Sequence, residues 1–171
     1  MSFLSKLLGT APDPREELRP LWQRIVGEAR DPRWYASCGV ADTMEGRFDM
    51  VSAVQALVLL RMERDPALMQ RSALLTELFV EDMDGQLRQS GVGDVVVGKH
   101  MGKLMGSMGG RLGAYREALA AEDDALAEAA TRNVSMGEDG DAACVALGLR
   151  ALANRLDETP NDALLAGDFA Q

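Results

Sequence analysis

A chain of 171 residues, 47% hydrophobic and 26% charged, has the size and composition of one soluble globular domain with a core of its own. Aromatics make up only 5% while methionines number ten, which points to an aliphatic, helical core rather than to the β-branched and aromatic faces of sheets. A formal charge of −9 excludes whole-surface affinity for nucleic acid, because neutralising phosphates takes a clustered basic face.

The charge is unevenly spread. Residues 94–116 carry four basic groups against one acidic, whereas residues 117–171 carry three against twelve. A basic island therefore sits in an acidic chain and can make a local contact that the whole surface cannot. Cys38 and Cys144 are distant, lie in no C-x-x-C and adjoin no histidine run, so neither a disulfide framework nor a zinc site is expected, and a reducing compartment fits. The opening residues are too short and interrupted for a secretory signal and lack the arginines of a transit peptide. The longest apolar run, 50–60, falls well short of the ~20 residues a bilayer-spanning helix needs. A cytosolic chain is expected.

Residues 1–13 read as an amphipathic segment and linker. Phe3, Leu4, Leu7 and Leu8 fall at helical spacing with Lys6 off the stripe, and the segment either rests on a membrane or a partner, or docks on its own domain. A helical domain is expected over 14–157. Its first helix starts after Pro14, carries a stripe through Leu18, Leu21, Trp22, Ile25, Val26 and Ala29, and closes at Asp31-Pro32. Residues 33–41 form a connection. Asp42, with Glu45 three positions on, predicts a capping box for a helix running to about Arg64. That helix is apolar nearly all round and should be the central, most buried one.

Asp65-Pro66 opens a third helix through Leu68, Leu75, Leu78, Phe79, Met83 and Leu87 to a stop at Ser90-Gly91. Asp94 can cap a fourth, reaching Ala120 or Ala121. A short helix follows and ends near Asn133, residues 135–141 are a loop, and a last helix covers 142–156. The tail from 158 to 171 is expected to be loosely held. The prediction is an all-α, single-domain, irregular bundle of about six helices around one central helix, with no strand.

The hairpin of helices three and four carries the candidate binding features. Met83, Met101, Met105 and Met108 can line an adaptable apolar groove, since thioether chains repack readily, although such a stripe also suits ordinary core. Lys99, Lys103 and Arg111 can clamp an acidic partner or ribosomal RNA, or pair with Glu77, Glu81 and Asp84 on the neighbouring helix. Gly102, Gly106 and Gly110 follow a small-xxx-small spacing that suggests close packing against the central helix, or a helix left deformable for a bound segment. His100 is the only histidine and has no partner for metal or base chemistry. Residues 81–84 form an acidic cluster that could hold magnesium in an all-α enzyme, but nothing supplies a nucleophile with its base or a phosphate-cradling loop. No catalytic, cofactor or metal residue is assigned.

Several pieces in fixed order resemble the ubiquinol–cytochrome c chaperone family. They are Tyr35, then Asp42-Thr43 and Gly46-Arg47-Phe48-Asp49, then Asp82 and Asp84 with Arg88. Gly91, Gly93 and Asp94 follow with Gly98, and then Arg111, Tyr115, Arg132 and Asn133. The chain departs from the family pattern at Ala41, Val54, Leu60 and Met108-Gly109. The resemblance implies an all-α, non-enzymatic assembly factor that holds newly made cytochrome b during assembly of respiratory complex III. It also implies work near the ribosomal tunnel exit, in some relatives with a small partner protein. For this chain it suggests the cytoplasm of a bacterium, at the inner face of the membrane, with peripheral contact through Phe3, Leu4, Leu7 and Leu8. Two alternatives remain: a generic helical adaptor for one soluble partner, and a magnesium-dependent enzyme built on the 81–84 cluster.

Overall fold

The structure is a computed structural model that describes residues 13–89 and 94–169, with the backbone alone described at 94–101, 103–105 and 123. It is all-α, with seven α-helices among the described residues: α1 (Arg19–Ala29), α2 (Met44–Glu63), α3 (Met69–Gln89), α4 (Asp94–Leu119), α5 (Asp123–Asn133), α6 (Ala142–Glu158) and α7 (Asn161–Leu165). Short 3-10 turns at Pro14–Leu18 and Pro66–Leu68 lead into α1 and α3, each opened by an aspartate whose carboxylate accepts from the backbone two residues on.

The central position of α2 follows from its composition. Every residue from 50 to 60 is buried, and α1, α3, α4 and α6 all pack against it. A helix apolar on all sides has no face to give to water, so its neighbours must surround it. Its N-cap is Thr43, whose hydroxyl accepts from Gly46 N at 3.2 Å, and not the expected Asp42, which turns outward to Arg47. Gly46 is required here, because a Cβ would collide with the Ala41 carbonyl oxygen.

The expected plain connection at 33–41 is more ordered than its sequence suggests. Residues Arg33–Ser37 form a π-helical turn that buries Trp34 completely, with its indole N–H donating to Glu28 O at 2.8 Å. Gly148 on α6 leaves room for that ring. Residues 38–41 then pair with the 135–141 loop through Ala41 N to Ser135 O (2.9 Å), Gly137 N to Gly39 O (2.8 Å) and Asp141 N to Cys38 O (2.9 Å). Gly39 has φ 68°, a left-handed conformation suited to glycine, and lies close against Asp139 O.

Cys38 and Cys144 meet at this seam and form a disulfide with a Cα–Cα distance of 5.2 Å, which overturns the expectation of two unpaired thiols. Their 106-residue separation hides a contact that the fold creates.

The segment after Pro160 is also docked rather than loose. Leu164 and Phe169 are buried, the Arg24 guanidinium lies 4.5 Å over the Phe169 ring, and Arg61 donates to Leu156 O, Thr159 O and Asn161 Oδ1 at 3.0 Å each. The glycines of α4 are a further correction. A Cβ at Gly102, Gly106 or Gly110 would meet nothing within 4 Å, so they mark an open face rather than a close helix crossing.

Candidate functional site

A concave surface lies between α1 and α3, which run side by side and touch edge-to-face through Trp22 and Phe79 with ring centroids 6.0 Å apart. It is a groove of about 740 Å³ lined mainly by polar side chains, with Val26 half-buried in it and Trp22 and Leu78 reaching it only at the edge of the core. Arg19 and Glu81 stand at one end, Arg30 and Gln86 at the other, with Asp82 along the α3 wall. At Gly85 that wall carries no side chain. Arg30 and Gln86 also line a second hollow of about 360 Å³ over the start of α2, formed with Asp42, Thr43, Met44, Arg47, Phe48 and Val51. The two hollows therefore adjoin, with Arg30 and Gln86 between them. Met44 is 46% exposed there, an adaptable apolar side chain turned to solvent.

The charges of the groove are mostly paired. Arg15 Nη1 lies 2.9 Å from Glu81 Oε2, and Arg19 Nε lies 2.8 Å from Glu16 Oε1. Arg47 Nε contacts Asp42 Oδ1 at 2.7 Å, and the hydrogen bond from this guanidinium lowers the Asp42 carboxyl below its usual range. Asp82 accepts from Gln86 Nε2 at 2.7 Å but has no cationic partner among the described residues. The exposed Arg30 likewise faces no described carboxylate within ion-pair distance. A mainly polar lining beside a small apolar patch is a surface that can take an amphipathic segment. No cluster of three His, Cys, Asp or Glu side chains that could hold a metal occurs among the described residues.

Of the four methionines that could line a groove or fill the core, the two whose side chains are described take the core reading. Met83 is fully buried and Met108 is 4% exposed, and both belong to the core. The side chains of Lys99, Met101, Lys103 and Met105 lie outside the described residues, as do Gly91 and Gly93 entirely. Arg111 pairs with Asp49 of α2 rather than with α3, at 11% exposure. Asp49 in turn accepts from Ser135 N (3.0 Å) and Ser135 Oγ (2.7 Å), tying α4, α2 and the 135–141 loop together. Tyr115 is buried one turn along, and burial raises its phenol pKa. The acidic cluster at 81–84 is also dispersed: Glu81 goes to Arg15, Asp84 to Arg88 at 2.6 Å, and Met83 points inward.

The motif residues thus divide into two sets. Tyr35, whose hydroxyl donates to Ala29 O at 2.9 Å, joins Gly46, Asp49, Arg111 and Tyr115 as structural fastenings. Arg132, paired at 3.5 Å with Glu128, and Asn133, donating to Ala129 O, finish α5. Asp42, Thr43, Arg47 and Phe48 line the hollow over the start of α2, and Asp82 lines the adjoining one between α1 and α3. Sequence reasoning missed Val26, Arg30, Met44, Leu78 and Gln86 as groove residues. Periodicity within one helix gave Val26 and Leu78 as apolar stripe positions, but only the pairing of two helices shows which of them border an opening.

A family model described as ubiquinol-cytochrome C chaperone matches residues 36–171. The crystal structure of the Cbp3 homolog from Brucella abortus is similar with a TM-score of 0.79 at 34% identity, covering 99% of this chain and 97% of that one. No curated protein matches significantly.

Proposed function

The chain belongs to the ubiquinol–cytochrome C chaperone family, and from that membership we propose that it holds newly synthesised cytochrome b and promotes assembly of the ubiquinol–cytochrome c reductase complex. The observation that supports this most is the pair of adjoining hollows on α1, α3 and the start of α2, where the exposed Met44 and the half-buried Val26 and Phe48 lie among five residues of the family motif. A hydrophobic client segment needs apolar surface that repacks, and a rim that does not compete for it. Met44, Val26 and Phe48 offer part of that surface beside a polar rim.

No described helix is long and apolar enough to cross a membrane. The proposed place of work is the cytoplasmic face of the inner membrane, with peripheral contact and with the ribosome near the tunnel exit as a neighbour. A small partner protein is a further contact that this reading accommodates.

Photo-crosslinking from position 44 during cytochrome b synthesis tests the reading. Adducts with cytochrome b are expected, together with lower mature cytochrome b in a strain carrying Met44→Asp. Adducts restricted to one soluble protein would instead favour a helical adaptor, and normal cytochrome b in the deletion strain would end the proposal.

A further inference from the structure

We propose that Cys38 and Cys144 are a reversible thiol–disulfide couple, at which this chain exchanges with low-molecular-weight disulfides and thiols. Cys144 is the sulfur of entry and Cys38 the resolving one. The inference is independent of any client, because it rests on the seam between residues 38–41 and the 135–141 loop.

The seam holds the two cysteines together by contacts that do not involve sulfur. Asp141 N donates to Cys38 O at 2.9 Å, three residues before Cys144 in the chain. Gly137 N to Gly39 O and Ala41 N to Ser135 O extend the pairing, with an antiparallel bridge between Val40 and Met136. On the Cys38 side, Cys38 N donates to Arg33 O and Val40 N to Trp34 O, at 3.0 Å each. On the Cys144 side, Asp141 caps α6 by accepting from Ala143 N and Cys144 N, at 2.9 and 3.1 Å. The Trp34 ring then fills the space over Gly148, one turn further along α6. Each cysteine is thus fixed by its own backbone neighbours, and the reduced chain keeps both thiols within reach of one bond.

Access sets the order of events. Cys144 is partly exposed in the first turn of α6, whereas Cys38 is 5% exposed beneath it. Exchange depends on which sulfur a reagent can reach. In the oxidising direction the Cys144 thiolate attacks a small disulfide, whose S–S bond breaks and releases one small thiolate. The Cys38 thiolate then attacks the Cys144 sulfur of the mixed disulfide and expels the second. The two protein thiols give up two protons and two electrons, and the small disulfide becomes two small thiols. In the reducing direction an external thiolate attacks Cys144 and Cys38 leaves. A second external thiolate then frees Cys144. The chain has no third cysteine to divert either path.

The bond closes a loop of 106 residues, so the couple makes the stability of the chain depend on the thiol–disulfide ratio around it.

Glutathione buffers of varied reduced-to-oxidised ratio are the probe, applied to the full chain folded and in guanidinium chloride. The equilibrium constant for closing the bond should be at least about a hundredfold larger in the folded chain, because folding holds the thiols together. Acid quenching early in oxidation, followed by peptide mapping, should find the first glutathione adduct on Cys144. In Cys38→Ser the remaining thiol should react with oxidised glutathione at least about tenfold faster than the one in Cys144→Ser. The thermal midpoint of the parent chain should follow the glutathione ratio. Equal closing constants in the two states, a first adduct on Cys38, or a bond that exchanges no faster than the whole chain unfolds would each overturn the proposal.

Discussion

Reduction of the Cys38–Cys144 bond should lower stability by as much as the costliest single side-chain truncations in the bundle. The bond links positions 106 residues apart and so closes most of the chain, from the π-helical turn through to α6, into one loop. Cross-linking about 100 residues removes unfolded-state freedom worth about 4.7 kcal/mol at 25 °C in the chain-entropy picture. For a chain of this length each kcal/mol moves the thermal midpoint by about 2–4 °C, so the expected loss is about 9–19 °C. The assay is thermal unfolding by circular dichroism with and without dithiothreitol, beside a Cys38→Ser/Cys144→Ser double variant. The reduced protein and the double variant should agree, because the hydrogen bonds between residues 38–41 and 135–141 hold the seam in either state. The urea m-value should rise on reduction, since a chain freed of its cross-link exposes more surface when it unfolds. Two titratable thiols in the denatured, unreduced protein, or a midpoint shift below about 2 °C, would refute the reasoning.

Other contacts give sharper local tests. Arg111→Ala leaves the Asp49 carboxylate, 17% exposed, without its cation, and should cost about 3–5 kcal/mol by urea titration; a loss under 1 kcal/mol would show the pair to be dispensable. Gln55 is fully buried in α2 with neither amide atom hydrogen-bonded, so Gln55→Met should stabilise the protein by about 1–3 kcal/mol, and a loss of stability would count against that account. The Asp13 carboxyl is held at about 2, first by its side-chain hydrogen bond to Arg15. A depressed folded-state value adds stability that is full above the ordinary ~3.9 and disappears as pH falls from about 4 towards 2. Asp13→Asn should therefore lower stability near pH 7 and flatten the acid limb in that window, so that the variant and the parent converge as the pH nears 2.

Much of this fold is legible in the sequence because its signals are local. Eleven nearly all-apolar residues at 50–60 require a helix surrounded on every side, and Asp13-Pro14 and Asp65-Pro66 mark two helix entries by their own chemistry. What escaped depends on tertiary neighbours. Asp42 and Thr43 are adjacent and both able to cap, and the choice falls to Thr43 because Arg47 draws Asp42 away. A methionine stripe announces an apolar face but not what covers it, so Met83 and Met108 enter the core while Met44, on no stripe, is exposed. The docked tail rests on Leu164 and Phe169, two apolar anchors in a polar stretch, with Arg24 supplied from 145 residues away. The disulfide and the groove both arise where distant segments meet, and no periodicity reports such a meeting.

The strong polar fastenings are not spread evenly, and this bears on how the groove can work. Glu28 is 3% exposed and binds Arg24, Arg33 and Arg155, joining α1 to the π-helical turn and α6. Asp49 joins α2 to α4 and the 135–141 loop, and the disulfide closes the same side. None of these touches the α3 wall, whose charges sit in partly exposed pairs worth ~0–1 kcal/mol each. That wall is fixed mainly by the single buried stripe of Leu75, Leu78, Phe79, Met83 and Leu87. Small outward movements of α3 should therefore cost less than any movement of α2, which would let the groove widen for a client while the core stays intact. Native-state hydrogen exchange can read this directly. Amides of residues 80–89 should exchange at least about tenfold faster than those of residues 50–60, which is a gap of about 1.4 kcal/mol in opening free energy. Equal protection of the two helices would mean that the groove is as rigid as the core and that a client must fit it as it stands.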